Sequence, residues 1–310
     1  MEITATMVKQ LREMTGAGVM ACKKALVETD GDFDKAIEVL REKGEATAVK
    51  KAGRIAAEGT VLAVVKEDKK AAIVEVNSET DFVAKNEKFR SYVANVAEQV
   101  LVTNAKNIEE FMEDKWLLDD SKTVKEELVS QIAVIGENMN IRRFEKIETD
   151  GVVVPYIHAG GRIGVIVEAD TSVVSDEVKE CLKNVAMQIA ALNPKYTSRD
   201  EVSEEFIQHE KEILKAQIMN DPKESQKPEK VIEGMINGRI NKEMKEICLL
   251  DQVYVKAEDG KQTVANYVAE VAKSTDSGLK IKGFVRYETG EGIEKKQENF
   301  AEEVAKQMGN

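Results

Sequence analysis

The chain has 310 residues, 42% hydrophobic and 33% charged, with a net charge of −12 at neutral pH. That length exceeds one small core, suits two or three domains, and carries no signature of disorder. A broad negative charge opposes binding to a phosphate backbone and favours a protein partner. No apolar run approaches the roughly 20 residues that a bilayer span needs. Met1 to Thr6 offer neither a basic n-region nor an apolar core, so no signal peptide is expected. Cys22, Cys181 and Cys248 are odd in number and far apart, which suits a reducing cytoplasm and gives no metal spacing.

Residues 1–54 read as a three-helix unit. Val8, Leu11 and Met14 line the first helix, and Thr15-Gly16-Ala17-Gly18 breaks it. Met20 to Thr29 forms the second, with Cys22, Ala25 and Leu26 inward. Asp30-Gly31-Asp32 turns the chain and caps a third helix bearing Phe33, Ile37 and Leu40, which Gly44 is expected to end. Asp30, Asp32 and Asp34 do not make a calcium loop, because the sixth position is Lys35 and the twelfth Arg41. Ala46 to Arg54 reads as a basic linker helix. Residues 1–55 carry ten Lys or Arg and nine Asp or Glu, so the acidic excess belongs to the body that begins near Ile55.

In the body, Ala71 to Val76 is a short β-branched strand. It runs into Asn77 to Thr80 and then a helix with Phe89, Val93, Val96, Ala97 and Val100 at helical spacing. Ser78 or Thr80 can cap that helix, and Asp81 suits its positive end. Two readings compete for Asp81-Phe82. Phe82 lies seven residues before Phe89 and could top the buried stripe; alternatively the pair projects from a rigid corner into a partner. Asn107 to Met112 and Lys122 to Ile135 read as helices, with Trp116 on the connection and Gly136 as a helix stop.

Gly59 to Val65 corresponds to Gly151 to Ile157 at an offset of 92. The same offset, taken without a gap, sets Ile73-Val74 on Val165-Ile166, Val93 on Val185, Ala97 on Ile189 and Val100 on Leu192. Two similar α/β subdomains side by side are expected. Thr80-Asp81-Phe82 then falls on Ser172-Val173-Val174, so packing alone accepts valine and the Asp-Phe pair is a specialisation of the first copy. His158 sits in a hairpin turn without a second His or Cys nearby.

Phe206, Ile207, Ile213, Leu214, Ile218 and Met219 form one apolar stripe. Val231, Ile232, Met235, Ile236, Ile240, Met244 and Ile247 form another, with Asp221-Pro222 and Lys227-Pro228 between them. This reads as a projecting helical hairpin, of coiled-coil type. Val253-Tyr254-Val255 is expected as a strand, Val264 to Val271 as a helix, Leu279 to Tyr287 as a strand, and Gln297 to Met308 as a last amphipathic helix. The whole is an α+β chain: 1–54, a first core subdomain 55–148, a second made of 149–199 and 249–289, the hairpin 200–248, and a C-terminal helical module 290–310.

The chain has no G-x-x-x-x-G-K-[ST] loop, no nucleophile–base pair and no zinc set, so neither an enzyme nor a cofactor is expected. This points to a binding protein whose activity is a change imposed on its partner.

Glu75-Val76-Asn77-Ser78-Glu79-Thr80-Asp81-Phe82-Val83-Ala84-Lys85 resembles the core signature of the bacterial elongation factor Ts family. Leu11 to Leu26 resembles that family's first signature, on a unit similar to the ubiquitin-associated fold. Ile135 to Arg143 and Gly283 to Lys295 resemble two further blocks. The resemblance implies guanine-nucleotide exchange on elongation factor Tu, bound to GDP or nucleotide-free, during translation. It implies partner contacts at Thr80, Asp81, Phe82 and Val83, at Arg12, Val19 and Met20, at Ile135 and Gly136, and at His158. It further implies a homodimer through the hairpin and an arm formed by the last helix. The alternative is a non-catalytic adaptor that binds helices with the same scaffold. An RNA-binding translation protein is disfavoured by the acidic body.

Overall fold

The computed structural model describes residues 3–15 and 17–294. Its elements are α1 (Ala5–Thr15), α2 (Val19–Glu28), α3 (Phe33–Lys51), β1 (Glu58–Lys66), β2 (Lys70–Ser78), α4 (Asp81–Lys85), α5 (Glu87–Val102), α6 (Ile108–Glu113), β3 (Lys115–Trp116), β4 (Asp119–Thr123), α7 (Val124–Ile135), β5 (Met139–Glu148), β6 (Val152–His158), β7 (Ile163–Asp170), α8 (Asp176–Leu192), α9 (Glu204–Asn220), α10 (Glu229–Ile247), α11 (Val264–Ser274) and β8 (Lys280–Glu288). The expected helix from Gln297 to Met308 lies outside the described residues.

Val8, Leu11, Cys22, Ala25, Leu26 and Ala36 form the core of the first three helices. Met14 does not join them; it is 56% exposed. Asp32 caps α3 by accepting from the Lys35 amide at 3.1 Å. Gly44 does not end α3, which absorbs the expected linker helix and continues to Lys51. One interior glycine costs a helix only about 1 kcal/mol. Here the helix is held by packing on α7, where Gly44 faces Ala133 and Val129.

Two three-stranded antiparallel sheets follow, ordered β1-β2-β5 and β6-β7-β8. Their inner faces meet through Val61, Ala63, Ala71, Ile73, Val153, Ile166 and Tyr287. Helices cover the outer faces: α5 and α7 over the first sheet, α8 and α11 over the second. Central strand β2 is therefore buried on both faces from Ala71 to Ser78.

The two layers correspond, but not at one offset. Val61 matches Val153 on the inner face, an offset of 92. The β6–β7 turn then spans four residues, Ala159 to Arg162, where the β1–β2 turn spans three, Glu67 to Lys69. The central strands consequently match at 93. Ile73 and Ile166 face inward, whereas Val74 and Val167 face the helices. A gapless offset would put every such side chain on the wrong face.

The strand expected at Val253-Tyr254-Val255 is absent from the described structure. The segment makes an isolated bridge from Val253 to Thr263, and the buried Gln188 amide takes the groups on its other side, donating to the Val253 carbonyl at 3.0 Å and accepting from the Val255 amide at 2.8 Å. Residues 115–123, expected as a connection entering a helix, instead make the β3–β4 hairpin. In the helical hairpin, Ile218, Ile232, Ile236, Ile240 and Met244 are buried between α9 and α10, while Ile213, Met219 and Val231 are exposed.

Candidate functional site

The corner between β2 and α5 is built from polar residues that consume one another's hydrogen bonds. Of the two candidate caps, Thr80 is the one used: its hydroxyl accepts from the Val83 amide at 3.3 Å. The same hydroxyl donates to Glu137 at 2.6 Å, and the Thr80 amide donates to Glu137 at 3.0 Å. Ser78 donates to the Thr80 carbonyl instead. Glu79 accepts from the Asn138 amide at 2.6 Å and pairs with Arg54 at 3.4 Å. Asn138 in turn donates to the Arg54 carbonyl. The end of α3, the corner and the α7–β5 loop are thereby knitted together.

On this base stands a helix of five residues. Asn86, with extended backbone (φ −69°, ψ 136°), separates α4 from α5 and caps the latter by accepting from Lys88. The break removes Phe82 from the register of the α5 stripe. Phe89 is fully buried, whereas Phe82 is 82% exposed. The reading of Phe82 as the top of the buried stripe is thus overturned. Asp81, also exposed, accepts from Lys85 at 2.6 Å, and that bond holds its carboxyl below the ordinary aspartate range. Val83 packs back on the first core. The corner can present an aromatic ring to another molecule without first rearranging.

Ile135 and Gly136 belong to the same assembly. Gly136 ends α7 in the left-handed conformation (φ 85°), and its carbonyl accepts from Lys51. Ile135 is half-buried against the first core. His158 ends β6, exposed, its Nδ1 at 3.0 Å from the Tyr156 hydroxyl. The turn beyond it nears the corner through Arg90, which donates to the Ala84 carbonyl. Arg12, Val19 and Met20 stand apart at the α1–α2 turn, all exposed, with α3 running from this head toward the corner.

Sequence reading missed the side chains that hold this site. Glu137 lies 57 residues from Thr80, beyond any local signal. Glu75 is fully buried and pairs with Arg142 at 3.1 Å and Arg143 at 2.6 Å. It also accepts from Asn77 at 3.1 Å and from the Gly290 amide at 2.8 Å. Arg143 stacks over Tyr287, 4.2 Å from its ring centroid. A carboxylate on a β-branched strand was the one available clue. Among the described residues no cluster of His, Cys, Asp or Glu could hold a metal ion, and no helix is long and apolar enough to cross a membrane.

A family model described as Elongation factor TS matches residues 79–291. Relatives named Elongation factor Ts include those of Clostridium novyi (strain NT), 51% identical over 308 residues, and Clostridium botulinum (strain Eklund 17B / Type B), 53% identical over 309. That of Clostridium tetani (strain Massachusetts / E88) is 51% identical over 308 residues. Each alignment covers 99% of both chains. A match of this extent makes the chain a member of the elongation factor Ts family.

Proposed function

We propose that this chain is a guanine-nucleotide exchange factor that binds elongation factor Tu–GDP and promotes GDP release in translation elongation. The observation that carries the reading is Phe82: a large aromatic side chain, 82% exposed, on a short helix whose base is fixed by Glu79, Thr80 and Glu137. Leaving such a ring in water has no use in the fold itself. In the proposed mechanism Phe82 wedges between helices of the partner's GTPase domain and displaces the elements that order Mg²⁺ at the nucleotide phosphates. Asp81 and Thr80 fix the wedge, and Val83, Ile135 and Gly136 form its footing. The exposed Arg12, Val19 and Met20 dock the head on the same domain, and His158 contacts the partner away from the nucleotide. No covalent step is involved; the factor lowers the partner's affinity for GDP, and by linkage GDP lowers the partner's affinity for the factor equally.

The same reading takes residues 1–54 as a head of ubiquitin-associated type and the two layers as products of a duplication. The exposed Ile213, Met219 and Val231 of the hairpin support a role in self-association. The deciding experiment is release of a fluorescent GDP analogue from purified elongation factor Tu. Acceleration at sub-stoichiometric amounts is expected. Binding without acceleration would replace the exchange reading with a helix-binding adaptor.

A further inference from the structure

The β3–β4 hairpin closes with two residues, Leu117 and Leu118. Two-residue hairpin turns ordinarily carry Asn, Asp or Gly, because their backbone demands positive φ. Neither leucine has positive φ, so this turn tolerates any small polar residue. It nevertheless places two adjacent leucines in water, 50% and 65% exposed. They are not loose. Trp116 is buried behind them, its ring centroid 6.1 Å from that of Tyr92. The buried Gln99 amide donates to the Lys115 carbonyl at 3.0 Å and accepts from the Leu117 amide at 2.6 Å. Val102, one helical turn beyond Gln99, is exposed as well.

The chain around this apolar tip is strongly acidic. Between residues 106 and 122, six carboxylates (Glu109, Glu110, Glu113, Asp114, Asp119 and Asp120) stand against Lys106, Lys115 and Lys122, of which Lys122 pairs with Asp119 at 3.5 Å. The hairpin leads through β4 into α7, whose far end carries Gly136 beside the Phe82 corner; the twelve residues of α7 alone span about 18 Å. A ligand here need not compete with one at the corner.

We propose that Leu117 and Leu118 form a second docking point, for a protein partner that offers an apolar groove rimmed by Lys and Arg. The leucines supply the buried anchor, and the surrounding carboxylates supply steering and orientation. Two matched helical peptides, one of leucine and lysine and one of leucine and glutamate, test it by calorimetry and by emission from Trp116, the chain's single tryptophan. The full chain is expected to bind the basic peptide saturably and the acidic one at least tenfold more weakly. Leu117→Ser/Leu118→Ser should weaken the basic peptide at least tenfold with thermal midpoint and GDP-release activity unchanged. Glu113→Lys/Asp120→Lys should weaken it mainly at low salt. Equal binding of both peptides, no saturable binding, or a serine variant that titrates like the parent overturns the proposal. A parent chain that self-associates in sedimentation while the serine variant does not would make the occupant a second copy and overturn the assigned partner.

Discussion

The two layers of the body build one plan with two different exits. In each, a hairpin is joined by a third strand after a long helix, and that third strand bulges just past a carboxylate of the central strand. The bulged residue is a cation that pairs with the carboxylate: Arg142 with Glu75, Lys282 with Glu168. In each, a buried glutamine of the long helix grips two backbone groups of a later segment, Gln99 holding Lys115 and Leu117, Gln188 holding Val253 and Val255. The helices match closely: Phe89 with Val178, Val93 with Leu182, Val96 with Val185, Gln99 with Gln188. That is an offset of 89, against 93 in the central strands. The first layer therefore holds four additional residues between strand and helix, one helical turn, and this is where α4 stands. The second layer goes from Asp170 through a loop anchored on Ser277 directly into α8. Phe82 thus belongs to an inserted turn, and the core beneath is complete without it.

The largest expected difference between the layers lies in their ion pairs. Glu75→Ala leaves two arginines facing an empty, buried site and should cost about 3–5 kcal/mol of stability. Glu168→Ala, across from a half-exposed lysine, should cost at most about 1 kcal/mol. Urea unfolding of both variants measures the contrast, and equal losses would remove the distinction. Next comes the inserted turn. Phe82→Ala should slow GDP release at least tenfold while stability moves by no more than about 0.5 kcal/mol. Val174→Ala, at the other exit, should change neither. An exchange rate that survives Phe82→Ala would exclude the wedge. Glu137→Ala removes two hydrogen bonds beneath α4 and should cost about 1–2 kcal/mol, with faster amide exchange at Thr80 and Val83. Unaltered protection there would mean that the corner is held by something else. The smallest effect is electrostatic. Lys85→Met should let the Asp81 pKa rise toward the ordinary aspartate value, readable by NMR titration. The pair's contribution is present at neutral pH and fades as pH falls through the lowered Asp81 value.

Much of this architecture was legible because periodicity reports on faces. The stripes of α5, α8 and α10 and the strands β1, β2, β6 and β7 follow directly from it. What escaped had other causes. Phe82 and Phe89 are seven apart, a spacing that signals one face only if the helix is continuous, and Asn86 interrupts it. Gly44 looked like a stop because its support, α7, lies some eighty residues further on. Val253 to Val255 has the composition of a strand, but Gln188 satisfies its backbone first. The one-residue lengthening of the second turn and the four-residue insertion at the corner cannot be seen at a fixed offset. The residue types left two readings of the corner open, and its resemblance to the family signature is what singled it out; the carboxylates that brace it were not found, since their partners are distant in sequence.

One such distance has a consequence for biosynthesis. Glu75 receives its last hydrogen bond from the amide of Gly290, 215 residues later. At roughly 5–20 residues per second, the nascent first sheet waits about 10–40 s before that donor has even been polymerised. Until then a carboxylate destined for full burial has only its arginines, once they too are made. The first layer of this chain emerges from the ribosome unfinished, and its completion waits for the synthesis of Gly290.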